Sequence, residues 1–296
     1  MTHSVATEPE KLVKPITKLE TAFAYPRNFL GNRFVYVVIS PRARGLSIGV
    51  NMNPDKLCNF DCAYCEVNRR LPSVGDHLDL DIMAGELQNM LDLVRSGKIG
   101  KLSFFKTTPR ELLKLRHVAL SGDGEPTLCA NFTEAVQTVA HVRARSFSFF
   151  KIVLITNATG LDLPEIQNGL KYFTREDEIW AKLDAGTQAY MNKVKHGDLP
   201  LEKVLANILL VARQRPVVIQ SLFPSLNGQE PSRDEIVQYA QRLKELKEAG
   251  AQISLVQIYS ATRPMLHSEC GHLPLKTLSR IAKTVQETAG LTAEIF

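Results

Sequence analysis

The sequence is short of the features that mark several protein classes. It has no apolar run long enough to cross a membrane as a helix, which argues against an integral helical membrane protein. The opening residues, Met1-Thr2-His3-Ser4-Val5, lack the apolar core of a signal peptide. Cysteine is scarce, five in 296 residues, and none precedes Cys58. That is a poor basis for a disulfide scaffold and fits a reducing, cytoplasmic setting without membrane association. No internal repeat and no low-complexity linker is found, so solenoids and tethered arrays are not expected. Neither sign of charge dominates: 36 Lys and Arg stand against 31 Asp and Glu, for a net +5. The densest basic groups are only pairs, Arg42 and Arg44, Arg69 and Arg70, and Arg143 and Arg145. They do not form the continuous stripe that nucleic-acid binding favours.

What is present is concentrated in one place. Three cysteines stand in Cys58-Asn59-Phe60-Asp61-Cys62-Ala63-Tyr64-Cys65, a C-x3-C-x2-C spacing. One compact loop of that kind can wrap three thiolates around a corner of an iron-sulfur cluster, because soft sulfur ligands suit that metal class. With no fourth cysteine close by, one iron of a 4Fe-4S cluster would stay open to an outside ligand. The alternatives are a zinc site, although zinc motifs usually come as paired C-x2-C units with four ligands, or a few buried cysteines. Cys129 and Cys270 are isolated in sequence and read as small core residues.

Around this loop the chain alternates between strand and helix. An apolar, β-branched run over Phe34–Ile39 reads as an accessory strand after a polar opening segment to about Ala22. Strand-like runs follow at Leu46–Asn51, His117–Ser121, Lys151–Thr156, Glu178–Leu183, Val217–Leu222 and Ile253–Ile258. Helical patterns lie at Asp81–Ser96, Thr133–Arg145, Pro164–Lys171, Pro200–Gln214, Arg233–Ala249 and Leu275–Ala289. Ser232 with Glu235 makes a capping-box pattern, and Gly97, Gly250 and Gly290 stand where helices should end. Six strand-helix units in series imply a parallel sheet, and six is fewer than a closed eight-fold barrel needs. The expected fold is α/β: an open partial TIM barrel, (β/α)6. Its expected divisions are an N-terminal extension over residues 1–45, a core over 46–260, and a C-terminal loop, helix and terminal strand over 261–296.

In such a fold the loops after the C-terminal strand ends converge on the site. The cysteine loop follows the first core strand. After the second comes Ser121-Gly122-Asp123-Gly124-Glu125-Pro126-Thr127, where glycines admit a close ligand and a carboxylate can accept from an ammonium group. Asn157 follows the third strand and suits either a ribose or a turn. Lys182 and Asp184 share one face of the fourth strand, suited to a carboxylate and to hydroxyls, or to each other. Gln220 needs a polar partner inside an apolar strand. Tyr259, Arg263 and His267 follow the sixth strand, where Arg reads acidic groups and His transfers protons. These three are the candidate catalytic or substrate-facing residues.

The cysteine spacing, with an aromatic residue before the third cysteine, resembles the signature of the radical S-adenosylmethionine (SAM) superfamily. The Gly122–Leu128 run resembles that family's G-G-E-P element, with Asp123 in place of the second glycine. Together with the turn Leu183-Asp184-Ala185-Gly186, these runs are similar to the wyosine-synthase-like branch, which includes bacterial relatives of unassigned function. The resemblance implies a partial barrel, a 4Fe-4S cluster on Cys58, Cys62 and Cys65, and SAM bound at its open iron. It also implies reductive cleavage of SAM to methionine and a 5′-deoxyadenosyl radical. The implied SAM contacts are Tyr64, Gly122, Asp123, Gly124, Glu125, Asn157, Lys182, Asp184 and Gln220, with Tyr64 at the adenine and Gln220 facing SAM. The wyosine enzymes carry a second cluster on N-terminal cysteines, and no cysteine precedes Cys58 here.

The leading expectation is therefore an enzyme that starts radical chemistry on a small molecule or peptide, fed by a reducing protein such as flavodoxin or ferredoxin. The alternatives are a tRNA base-modifying enzyme and an activase that installs a radical on a partner protein. The scattered charge ranks tRNA below a small or peptidic substrate held partly through Arg263.

Overall fold

The computed structural model describes residues 28–69, 71–73, 75–146, 148–262 and 267–296. The polar opening segment, Arg70, Arg263, Pro264 and Met265 therefore lie outside the described residues. Strand β1 (Val35–Ser40) turns back antiparallel onto β2 (Gly45–Asn51). Next come α1 (Leu80–Arg95), β3 (Leu115–Ser121), α2 (Phe132–Arg145), β4 (Lys151–Thr156), α3 (Pro164–Leu170) and β5 (Glu178–Lys182). Two helices follow, α4 (Gln188–Lys195) and α5 (Leu201–Ala212), then β6 (Val217–Leu222) and the short β7 (Ser225–Leu226). The chain ends with α6 (Arg233–Glu248), β8 (Ile253–Tyr259), the short β9 (Cys270–Gly271), α7 (Leu275–Ala289) and β10 (Ala293–Ile295).

The main sheet has eight strands in the order β1-β2-β3-β4-β5-β6-β8-β10, and every pairing beyond β1–β2 is parallel. The six strands expected for the barrel are all there, with β1 added at one edge and β10 at the other. The expectation of an open partial barrel is borne out. No helix among the described residues is long and apolar enough to cross a membrane.

Helix signals explain most of the outer layer. In α1 the Asp79 carboxylate accepts from the amides of Asp81 and Ile82, and Met83, Leu87, Met90 and Leu91 make one buried stripe. Gly97, Gly250 and Gly290 all take positive φ just past their helices. The Ser232 pattern is only half a capping box. Its hydroxyl accepts from the Glu235 amide, but the Glu235 carboxylate accepts from the Gly186 amide at 2.5 Å and the Thr187 hydroxyl at 2.6 Å. Glu235 thus ties α6 to the turn after β5. There a Cβ on Gly186 would stand 2.0 Å from the Tyr239 amide nitrogen, so only glycine allows this approach.

Helix α4 had no counterpart in the sequence reading. It is short and polar, and it ends on His196 at φ 44° rather than on a glycine, so its stop signal is unmarked. Helix α5 is shorter than the expected Pro200–Gln214, with Pro200 as its N-cap and Arg213 as its C-cap.

The sheet curls until its edges face one another. Arg44, in the β1–β2 turn, bonds Glu294 of β10 at 2.7 Å across the gap. Ala43 packs against the interior cluster of Val153, Trp180 and Val218.

Candidate active site

The loop bearing Cys58, Cys62 and Cys65 is hung from three neighbouring segments. The Leu57 carbonyl accepts from the Glu125 amide at 2.9 Å. The Asp61 and Ala63 amides donate to the Lys195 and Val194 carbonyls at 3.1 and 2.9 Å, so the C-terminal end of α4 supports the loop. Asn59 donates to the Thr159 hydroxyl at 2.7 Å and accepts from the Asn157 side chain at 2.8 Å. Below it the buried Phe60 ring meets Lys195 at 5.0 Å. Leu57–Cys65 lacks regular structure of its own, and these contacts order it.

Glycine is required where the second strand's loop presses on the first. A Cβ on Gly124 would lie 1.9 Å from the Leu57 carbonyl oxygen, and one on Gly122 would lie 2.3 Å from Asn51 Oδ1. Asp123 fits without strain: its φ is not positive, its amide donates to Asn51 Oδ1 and its carboxylate accepts from Asn51 Nδ2, both at 3.0 Å. Where the family element has glycine, an Asn51–Asp123 pair locks the turn to β2.

The three cysteines line one cavity of about 470 Å³ together with Tyr64, Glu125, Asn157, Lys182, Lys195 and Tyr259. The donor set suits a cluster held at a loop, because each thiolate there takes a different iron and the three need not converge on one point. Among the described residues no three His, Cys, Asp or Glu groups converge on a single-ion site. Burial raises the Cys58 thiol above its ordinary range. It pushes Cys62 up to about 12, against the opposing charge of Lys195. Cys129 and Cys270 are both buried. Cys129 donates to Asn131 at 3.2 Å, and Cys270 lies in an apolar cluster with Tyr64 and Tyr259.

The remaining candidates divide sharply. Glu125 is buried, with Oε1 accepting from Thr127 N at 3.1 Å, Thr127 Oγ1 at 2.8 Å and the Thr156 hydroxyl, and Oε2 accepting from Asn157 N at 2.7 Å. Burial nevertheless raises its carboxyl above the usual range. One lone-pair direction on Oε2 remains for a ligand. Asn157 is a brace as well as a lining residue: its Oδ1 accepts from Thr159 while its Nδ2 holds Asn59.

Lys182 and Asp184 follow the alternative in which they pair with each other: the Asp184 carboxylate pairs with Lys182 and with Lys195, both at 3.2 Å. It also accepts from Tyr64 Oη at 2.5 Å and from Leu222 N at 2.8 Å. Burial alone would raise this carboxyl, but the two lysines outweigh it and hold it below the usual range. Lys182 is opposed by burial but held above the ordinary lysine range by Asp184 and Tyr259.

Three further candidates have protein partners. The Tyr64 hydroxyl donates to Asp184 and its ring lies 5.1 Å from the Lys182 ammonium, while the residue still borders the cavity. Gln220 finds its polar partner in Gln257 of β8 at 2.9 Å and does not line the cavity. His267 also stands outside the cavity lining, with Nε2 3.7 Å from Asp61 and Nδ1 3.6 Å from Glu269. Tyr259 does line the cavity, where it accepts from Lys182 at 3.1 Å. Sequence reasoning missed Lys195, which stands on the unrecognised α4. It also missed Arg42 as a lining residue, whose only signal was membership of a basic pair.

No family model matches the chain. It is similar to a UPF0026 protein of Methanocaldococcus jannaschii, 26% identical over 212 residues that take in 70% of this chain and 59% of the relative. A UPF0026 protein of Helicobacter pylori is 23% identical over 270 residues, 85% of this chain and 79% of that one. The match thus spans less than two thirds of the archaeal relative's length. Among solved structures, TYW1 with a lysine-pyruvate adduct bound aligns with a TM-score of 0.53 and 17% identity, over 83% of this chain and 74% of that one. Streptococcus suis SuiB bound to S-adenosylmethionine aligns with a TM-score of 0.57 and 13% identity, over 82% of this chain and 49% of that one. At these identities the likeness shows a shared fold. That fold is the one implied by the resemblance of the cysteine loop to the radical SAM superfamily.

Proposed function

We propose that the protein is a radical SAM enzyme that cleaves SAM reductively and starts radical chemistry on a small-molecule or peptide substrate. One observation carries the reading: all three cysteines of the C-x3-C-x2-C loop border the same cavity as the Gly122–Glu125 turn. The fold shared with SuiB, whose structure holds SAM, supports it. When bound, a 4Fe-4S cluster supplies the electron that cleaves SAM to methionine and a 5′-deoxyadenosyl radical.

Cys58, Cys62 and Cys65 are the residues to hold the cluster, and Glu125 Oε2 is the acceptor available for the SAM ammonium. Gly122 and Gly124 let the backbone come close, while Asn157 keeps the Glu125 carboxylate and the cysteine loop in register. Lys182, which Asp184 and Tyr259 keep charged, presents a cation to the cavity for the SAM carboxylate. Lys182 and Lys195 are both ion-paired to Asp184, and adduct formation needs a free neutral amine, so the lysine chemistry seen in TYW1 is not assigned to them. A flavodoxin or ferredoxin is the proposed electron donor.

The test is anaerobic reconstitution followed by iron and sulfide analysis, then incubation with SAM and dithionite. About four iron and four sulfide per chain are expected, with slow release of 5′-deoxyadenosine. Alanine at Cys58, Cys62 or Cys65 should abolish the cluster, and alanine at Cys129 or Cys270 should not. Loss of the cluster in the last two variants alone would refute the assignment.

A further inference from the structure

Three cations line the cavity, and one of them is unmatched. Lys182 and Lys195 share Asp184, whereas no carboxylate among the described residues pairs with Arg42. Its Nε is enclosed without any hydrogen-bond partner. An enclosed guanidinium donor with no acceptor carries an uncompensated desolvation cost, which an arriving anion would relieve.

The chain holds Arg42 in that condition by fixing the residues beside it. Arg44 is bonded to Glu294 on the opposite sheet edge, and Ala43 is packed inside the barrel. Between turn and cavity, the guanidinium carbon lies 4.0 Å from the centroid of the Tyr259 ring. Stacking orients the planar group and leaves its in-plane N–H fork free to bind a second planar or tetrahedral anion. Pro41, Phe296 and Thr262 complete this side of the cavity, so the fork stands at the gap between the sheet edges, where the wall is made of side chains rather than strand.

We infer that Arg42 anchors the substrate by a carboxylate or phosphate group, so that the enzyme acts on an acidic molecule admitted at the β1–β10 gap. The inference deepens the radical SAM reading and rests on it for the identity of the second ligand. It gives Arg42, inside the cavity, the acidic-group role expected of Arg263, which lies outside the described residues. Arg42 is a binding residue here, and no bond is made or broken at it.

The experiment is calorimetric titration of the reconstituted, SAM-loaded protein with inorganic phosphate and, separately, with acetate. One of the two should bind with 1:1 stoichiometry, and the tighter one names the group. Arg42→Gln should weaken that binding at least tenfold, with iron content and SAM affinity unchanged. Arg42→Lys keeps the charge but loses the fork, and should fall between them; it also serves if the Gln variant fails to fold. Equal affinity in wild type and Arg42→Gln, or no saturable binding of either anion, would overturn the inference. A drop in SAM affinity instead would make Arg42 a partner of the SAM carboxylate and overturn the substrate assignment. If the protein takes up neither iron nor SAM, the proposed function fails, while the same anion titration on the apoprotein still tests Arg42.

Discussion

Replacing Asp184 with alanine is the sharpest test of how the site is held together. The carboxylate is wholly buried and is the common partner of Lys182, Lys195, the Tyr64 hydroxyl and the Leu222 amide. Lys195 is itself only 2% exposed, so it cannot turn to water when Asp184 is lost. Breaking a buried ion pair by removing one partner costs about 3–5 kcal/mol, because the other charge stays buried and unpaired. In a chain of this size 1 kcal/mol moves Tm by roughly 2 °C, so Asp184→Ala should lower Tm by about 6–10 °C. The assay is thermal unfolding of the apoprotein, followed by circular dichroism, so that cluster loss does not enter. Adding Lys195→Met to Asp184→Ala should recover part of the loss, since it removes the stranded charge and leaves an apolar side chain beside Phe60. A melting temperature within 1–2 °C of wild type for the single variant, or a double variant less stable than the single, would refute this electrostatic account.

Other perturbations test separate parts of the structure. Gly124→Ala places a methyl group against the Leu57 carbonyl and should displace the cysteine loop, lowering iron incorporation while far-UV circular dichroism stays unchanged. Glu125→Ala deletes the proposed ammonium acceptor and should weaken SAM binding by about 2 kcal/mol, read by equilibrium dialysis; unchanged affinity would remove Glu125 from the pocket. His117, buried against Trp180 at 5.1 Å, has its pKa lowered by burial from 6.5 to about 4, with Glu178 opposing. The unfolded chain then binds the extra proton between those values. The stability His117 contributes is complete above pH 6.5 and is lost on acidification toward pH 4, by about 3 kcal/mol in total. Denaturant titrations across this window should show that fall, and His117→Leu should flatten it.

The order of elements was legible from the chain alone, because strand and helix periodicity are local properties of side-chain alternation. The runs at Lys151–Thr156 and Val217–Leu222 and the stops at Gly97 and Gly290 coincide with the observed elements. The cysteine loop and the Gly122–Glu125 turn were legible too, since ligand spacing and glycine placement are written in consecutive residues. Polar pairing was not, because partners far apart in sequence meet only when the sheet curls. Only the tertiary structure decided that Asp184 belongs to Lys182, Lys195 and Tyr64, that Gln220 answers Gln257, and that Glu235 caps another segment's turn. Arg42 is the extreme case: it precedes the first parallel strand, yet closure of the sheet edges sets it over Tyr259, at the end of β8. Local chemistry names the groups that react, and burial decides which of them are still free to do so.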